Sequence, residues 1–115
     1  QWLAATEWTL DRLGARLGGR AVRLKGDPGR PSMTLLDFIR YVRCGSGGDM
    51  SPLYVFDHVV WPELLAEYDA TIGGAFPHDF LGVLGSARKA FRWFLVGPRR
   101  SGSKTHVDPD GTSAW

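Results

Sequence analysis

The sequence predicts an α+β chain that is mainly β in its second half. Leucines recur at helical spacing within residues 6–17 and again within 35–42, whereas 51–57 and 91–96 carry the alternating apolar and aromatic pattern of strands. Clusters of glycine and proline separate these runs. With 115 residues, 43% of them hydrophobic and 12% aromatic, the chain has material for one small packed core, which excludes disorder throughout.

The first helix is expected over 6–17, where Leu10, Leu13 and Leu17 share a face and Gly18-Gly19 stops the run. Val22 and Leu24, two apart among basic residues before "GDPGRP", read as a short strand ending in a turn. Thr34 suits the cap of a second helix, with Asp37 near its positive end. Leu35, Leu36, Ile39 and Val42 form the expected apolar face and Gly45 the stop. "CGSGGDMS" is a flexible connector. In "PLYVFD", Leu53 and Val55 fall on one face and Tyr54 and Phe56 on the other, so a central strand with both faces covered is expected. Pro62 fits the first turn of a helix through Leu64, Leu65 and Tyr68; "HDFLGVL" reads as a short helix, and 91–96 as the second strand. Trp2, Trp8 and Trp61 are assigned to packing.

A net charge of +2 and a pI near 9.0, with both signs interspersed, give only weak support for a nucleic-acid partner. Cys44 is the single cysteine, so an internal disulfide and a cysteine-based zinc site are excluded. This favours an intracellular setting, nuclear or cytoplasmic. No apolar run approaches the roughly 20 residues that span a bilayer, so no membrane partner is expected. The chain opens inside an amphipathic pattern and stops at Trp115, and so reads as a segment of something longer.

"GPRRSGSKTHVD" carries the chemistry. Gly97, Gly102, Lys104 and Thr105 nearly write a phosphate-binding loop, but Ser103 displaces the lysine by one position and "THVDPDGTSAW" is poor helix material. The alternative is His106-x-Asp108: on a strand both side chains point the same way, with Cβ atoms about 7 Å apart, and a divalent ion fits between them. Taken alone the tripeptide is cheap, and an exposed histidine before a capped turn at Asp108-Pro109-Asp110-Gly111 is the plainer reading. Arg99, Arg100 and Lys104 beside it read as solvated loop charge or as steering groups for an acidic partner.

The surrounding words change that balance. "SPLYVFD", "PHDFLGVLG" and "FRWFLVGPRRSGSKTHVDPDGTSAW" resemble the JmjC-domain dioxygenases, most closely the branch of the arginine demethylase and lysyl hydroxylase once called the phosphatidylserine receptor. "EWTLDRL" and the 35–42 helix are similar to the region preceding that domain. The resemblance implies a double-stranded β-helix, the jelly roll of cupins, of which this chain carries the first strands (51–115) behind a helical region (1–50). It implies Fe(II) and 2-oxoglutarate as cofactors, His106 and Asp108 as the first two iron ligands, and Ser103 and Tyr54 as cosubstrate-binding residues. The third ligand, a distal histidine, is then expected beyond residue 115, while His58 and His78 occupy positions the family does not use for metal. An offset of three between Ser103 and His106 requires a bend, for which Gly102 is suited.

The implied activity is protein hydroxylation or N-methyl demethylation, with a lysine or arginine side chain or a methylated tail as substrate. Trp93 and Phe56 are weaker candidates for a substrate channel, since strand aromatics more often fill a core. Two rival readings stand beside this one: a catalytically incomplete JmjC- or cupin-like binding or scaffold module, and a cupin-like fold holding another metal such as zinc.

Overall fold

A computed structural model describes residues 4–25, 32–58, 61–73, 78, 80–87 and 93–103. In chain order these form α1 (Ala4–Glu7), α2 (Leu10–Leu17), β1 (Ala21–Val22), β2 (Leu24–Lys25), β3 (Met33–Thr34), α3 (Leu35–Arg40), β4 (Tyr54–His58), α4 (Pro62–Thr71) and β5 (Trp93–Val96). A wide turn at Tyr41–Gly45 and a tight one at Ser46–Gly48 extend α3, and further tight turns occupy Phe80–Ala87. The mixture of helices and small antiparallel sheets is the α+β arrangement expected.

The first expected helix is two helices. Thr9 leaves helical conformation, and its hydroxyl accepts from the Arg12 N–H at the start of α2, so capping breaks the run that periodicity joined. The short strand likewise divides at Arg23. β1 pairs with β3 while β2 joins a separate sheet, ordered β2-β4-β5. Between them the Arg23 N–H donates to the Asp57 carboxylate (3.0 Å) and the Phe56 N–H donates to the Arg23 carbonyl (3.2 Å).

β4 is central, as its two-sided apolar pattern predicts. Val55 is paired to Leu24 on one side and to Val96 on the other, and it is wholly buried. One face of the sheet, through Val55 and Phe94, packs against Leu13, Leu17, Leu35, Phe38, Ile39 and Leu64 of the helices. Trp8 and Trp61 sit against this core, as expected of packing residues. Trp2 lies outside the described residues.

α3 is capped as its sequence foretells, with the Thr34 hydroxyl accepting from the Asp37 N–H. Its buried face differs from the expected one: Phe38 is fully buried and Leu36 is 40% exposed. Leu35 and Ile39 are buried and Val42 packs against the core, as expected. Pro62 opens α4, which Glu67 ties to α2 through a 2.6 Å ion pair with Arg16. Glu67 is buried, and its Oε2 has no hydrogen-bond partner among the described residues. The second sheet face is where the expected cover fails. Tyr54 is buried at 9% exposure, but Trp93 and Leu95 are 43% and 54% exposed.

Candidate functional site

The exposed sheet face ends in a cleft of about 250 Å³ beside Tyr54, walled by residues 95–98 and 101–103. Its shape follows from strand register. Val55 lies opposite Val96, which brings Gly97, the residue after β5, beside Tyr54, the first of β4. A side chain is not tolerated there. A Cβ on Gly97 would stand 2.9 Å from the Tyr54 Cβ and 2.0 Å from the Ser101 Oγ. Glycine lets the chain leave β5 close against β4 and turn back.

The turn itself is closed by the Ser101 N–H donating to the Pro98 carbonyl (3.1 Å), reinforced by the Ser101 hydroxyl on the same oxygen (2.7 Å). Arg100 occupies its third position with φ 72°, the left-handed geometry that a type II turn requires and that normally selects glycine or asparagine. Gly102 then adopts φ 138°, open to glycine alone, while the bend expected between Ser103 and His106 lies outside the described residues.

These two departures from extended backbone bring Ser103 back over the first wall. Its hydroxyl lies 3.2 Å from the Tyr54 hydroxyl, with either able to donate. So the two residues read as cosubstrate-binding, 49 positions apart in sequence, meet at one cleft. Both present neutral hydroxyls that can turn an O–H outward.

Around the cleft, Phe56 lies against Trp93 with ring centroids 4.5 Å apart, and edge-on to Tyr54 at 6.4 Å. The Lys25 ammonium sits 4.2 Å from the Phe56 ring centroid. The weaker channel candidates therefore form one aromatic band that is half open to solvent, while Phe94, their neighbour in sequence, points into the core.

Arg100 is exposed, as expected of a loop charge, but it also makes a contact that neither reading included. It donates to the carbonyls of Gly47 (3.1 Å) and Asp49 (3.4 Å), a long-range contact with no local sequence signal beyond a basic residue in a glycine-rich turn. Gly97, which carried no role once the phosphate-loop reading was set aside, is needed for the close approach to Tyr54.

His106 and Asp108 lie outside the described residues. Among the described residues no group of three His, Cys, Asp or Glu side chains could hold a metal ion, and His78 is exposed. No helix among them is long and apolar enough to cross a membrane.

Comparison with curated proteins finds alignments running the length of the chain. Identity is 39% over 119 aligned residues with lysine-specific demethylase JMJ21 of Arabidopsis thaliana, covering 99% of this chain and 12% of that protein. The chain is homologous to JmjC demethylases. The arginine-specific demethylase JMJ22 of Arabidopsis thaliana is 36% identical over 99% of the chain, and the bifunctional arginine demethylase and lysyl-hydroxylase psr-1 of Caenorhabditis elegans is 30% identical over the same share. The chain spans 22% and 30% of those two JmjC relatives, so it matches a minor part of each. No family model matches the chain, and no solved structure does so significantly.

Proposed function

We propose that this chain contributes the cosubstrate cleft and two iron ligands to an Fe(II)- and 2-oxoglutarate-dependent oxygenase that hydroxylates or demethylates lysine or arginine side chains of proteins. The single observation that carries the reading is the convergence of Tyr54 and Ser103, hydroxyl to hydroxyl, at a cleft sized for a small metabolite. The homologous demethylases and lysyl hydroxylase support the reaction class and the substrate class.

The donor set suits a carboxylate. In the free cleft the two hydroxyls satisfy each other, and such a neutral pair contributes about 0.5–1.5 kcal/mol. Facing a carboxylate, each donates to a charged acceptor, at about 1.5–3 kcal/mol per bond, so the exchange favours the ligand. Tyr54 is buried, which keeps its donor in place and partly dry; Ser103 is more exposed and contributes less. Leu95, Val96 and Pro98 supply an apolar wall for a carbon chain.

His106 and Asp108 are the proposed iron ligands, an imidazole and a carboxylate being suited to Fe(II). Iron, when bound, supplies the chemistry that couples 2-oxoglutarate decarboxylation by dioxygen to oxidation of a C–H bond. The task left to the chain is placement. The Trp93 and Phe56 band offers a flank along which the aliphatic stem of a lysine or arginine can lie.

The test is succinate release by the full-length protein with a lysine- or methylarginine-containing peptide. It should require Fe(II) and 2-oxoglutarate and be lost in His106→Ala and in Asp108→Ala. Tyr54→Phe should raise KM for 2-oxoglutarate about tenfold, the equivalent of one charge-assisted bond. Undiminished turnover in either ligand variant overturns the iron assignment, and an unchanged KM in Tyr54→Phe overturns the cleft assignment.

A further inference from the structure

The two walls of the cleft belong to different strands and share one anchor. The Tyr41 hydroxyl donates to the Asp49 carboxylate (2.6 Å) and accepts from the Leu53 N–H (3.0 Å), which fixes the residue immediately before Tyr54. Asp49 is itself held by its N–H on the Ser46 carbonyl (3.2 Å). The opposite wall reaches the same segment through Arg100, whose guanidinium donates to the carbonyls of Gly47 and Asp49. The Gly47 carbonyl lies in the last turn of the helical run 35–48, where a cation is favoured by the negative end of the aligned peptide dipoles, and Asp49 is the extended residue that follows it.

Backbone conformation makes this more than an incidental surface contact. A left-handed φ disfavours a residue with a Cβ, and such strain persists where the surroundings impose it. Arg100 adopts φ 72° in a turn where glycine would be free of that cost. Its side chain is what glycine lacks. Three residues later the same turn delivers the Ser103 hydroxyl to Tyr54.

We propose that Arg100 is a positioning residue for the cleft: by tying the 98–101 turn to the Gly47 and Asp49 carbonyls, it sets the reach of the Ser103 hydroxyl toward Tyr54. Asp49 serves both walls, its carboxylate accepting from Tyr41 on one side and its carbonyl from Arg100 on the other, so the distance across the cleft is set from one residue. The consequence for 2-oxoglutarate affinity rests on the cosubstrate reading above; the tie itself does not.

The experiment uses the full-length protein and Arg100→Asn, because asparagine tolerates the left-handed conformation and cannot span to the carbonyls. Amide exchange across 98–103 should quicken by at least about fivefold. KM for 2-oxoglutarate should rise about three- to tenfold with kcat within about twofold, the pattern of lost positioning in binding. Arg100→Lys, which keeps a cation near the helical carbonyls, should recover part of both effects. In the double variant with Ser103→Ala, KM should be no higher than in Ser103→Ala alone, because Arg100 acts through that hydroxyl. Multiplying effects overturn the proposal, as does unaltered exchange in Arg100→Asn whatever KM does. If Ser103→Ala leaves KM unmoved, the cosubstrate reading fails, while faster exchange in Arg100→Asn still upholds the tie.

Discussion

Replacing Gly97 by alanine tests how tightly the cleft is closed. The added methyl would stand 2.0 Å from the Ser101 Oγ, 3.2 Å from the Ser101 Cβ and 2.9 Å from the Tyr54 Cβ. The first conflict is relieved cheaply, by rotating the Ser101 side chain at the loss of its 2.7 Å bond to the Pro98 carbonyl. The conflict with Tyr54 is not, because its Cβ is fixed to β4, which is paired on both sides and buried. Overpacking of this kind costs about 1–3 kcal/mol. We expect Gly97→Ala to lower stability by that amount in urea denaturation, with an unchanged slope, and to weaken 2-oxoglutarate binding as the Ser103 wall moves outward. Adding Ser101→Ala should restore less than half of the lost stability, since the Tyr54 contact remains. A Gly97→Ala protein within about 0.5 kcal/mol of the parent, or full rescue by Ser101→Ala, would refute the close approach to Tyr54 as the constraint.

Two further outcomes follow from groups away from the cleft. The Thr34 hydroxyl bond, with a smaller contribution from Arg40, holds the Asp37 carboxyl below its usual value of 3.8. A depressed folded pKa means that this stabilisation is fully present above the unfolded value and disappears as the pH falls through the folded one. Asp37→Asn should therefore destabilise the protein at neutral pH by an amount that shrinks steadily below about pH 4, and a difference independent of pH in urea titrations would contradict this. Arg16→Met should cost about 1–3 kcal/mol because it strands the buried Glu67 carboxylate, whose Oε2 already lacks a partner among the described residues; the Arg16→Met/Glu67→Met pair should be the more stable variant in thermal denaturation, and additive losses would argue against the ion pair.

Much of the fold is legible because its signals are local. Thr34 followed by Asp37, Pro62 before an apolar run, and the two-sided apolar "LYVF" each act within a turn or a strand pair, and each element forms where it is expected. Periodicity misleads where a competing local bond interrupts it: Thr9 caps α2 and so ends α1. On α3 the buried stripe runs through Leu35, Phe38 and Ile39, which leaves Leu36 beside it 40% exposed. At the site, Tyr54 and Ser103 are identifiable from the words around them, but the role of Arg100 is not. Its partners are more than fifty positions away and are carbonyls, which every residue possesses.

Composition, capping residues and strand alternation thus dictate which segments coil, which extend, and which side chains carry hydroxyls or imidazoles. They do so through interactions spanning a few residues, whose energies do not depend on the rest of the molecule. Which strand meets which is a different matter, as are the closeness of Gly97 to Tyr54, the reach of Arg100 to the end of a helical run, and the openness of the Trp93 and Leu95 face. These depend on burying one common core made of Leu13, Phe38, Val55, Leu64 and Phe94, and that burial selects a single register from many that the local pattern would permit.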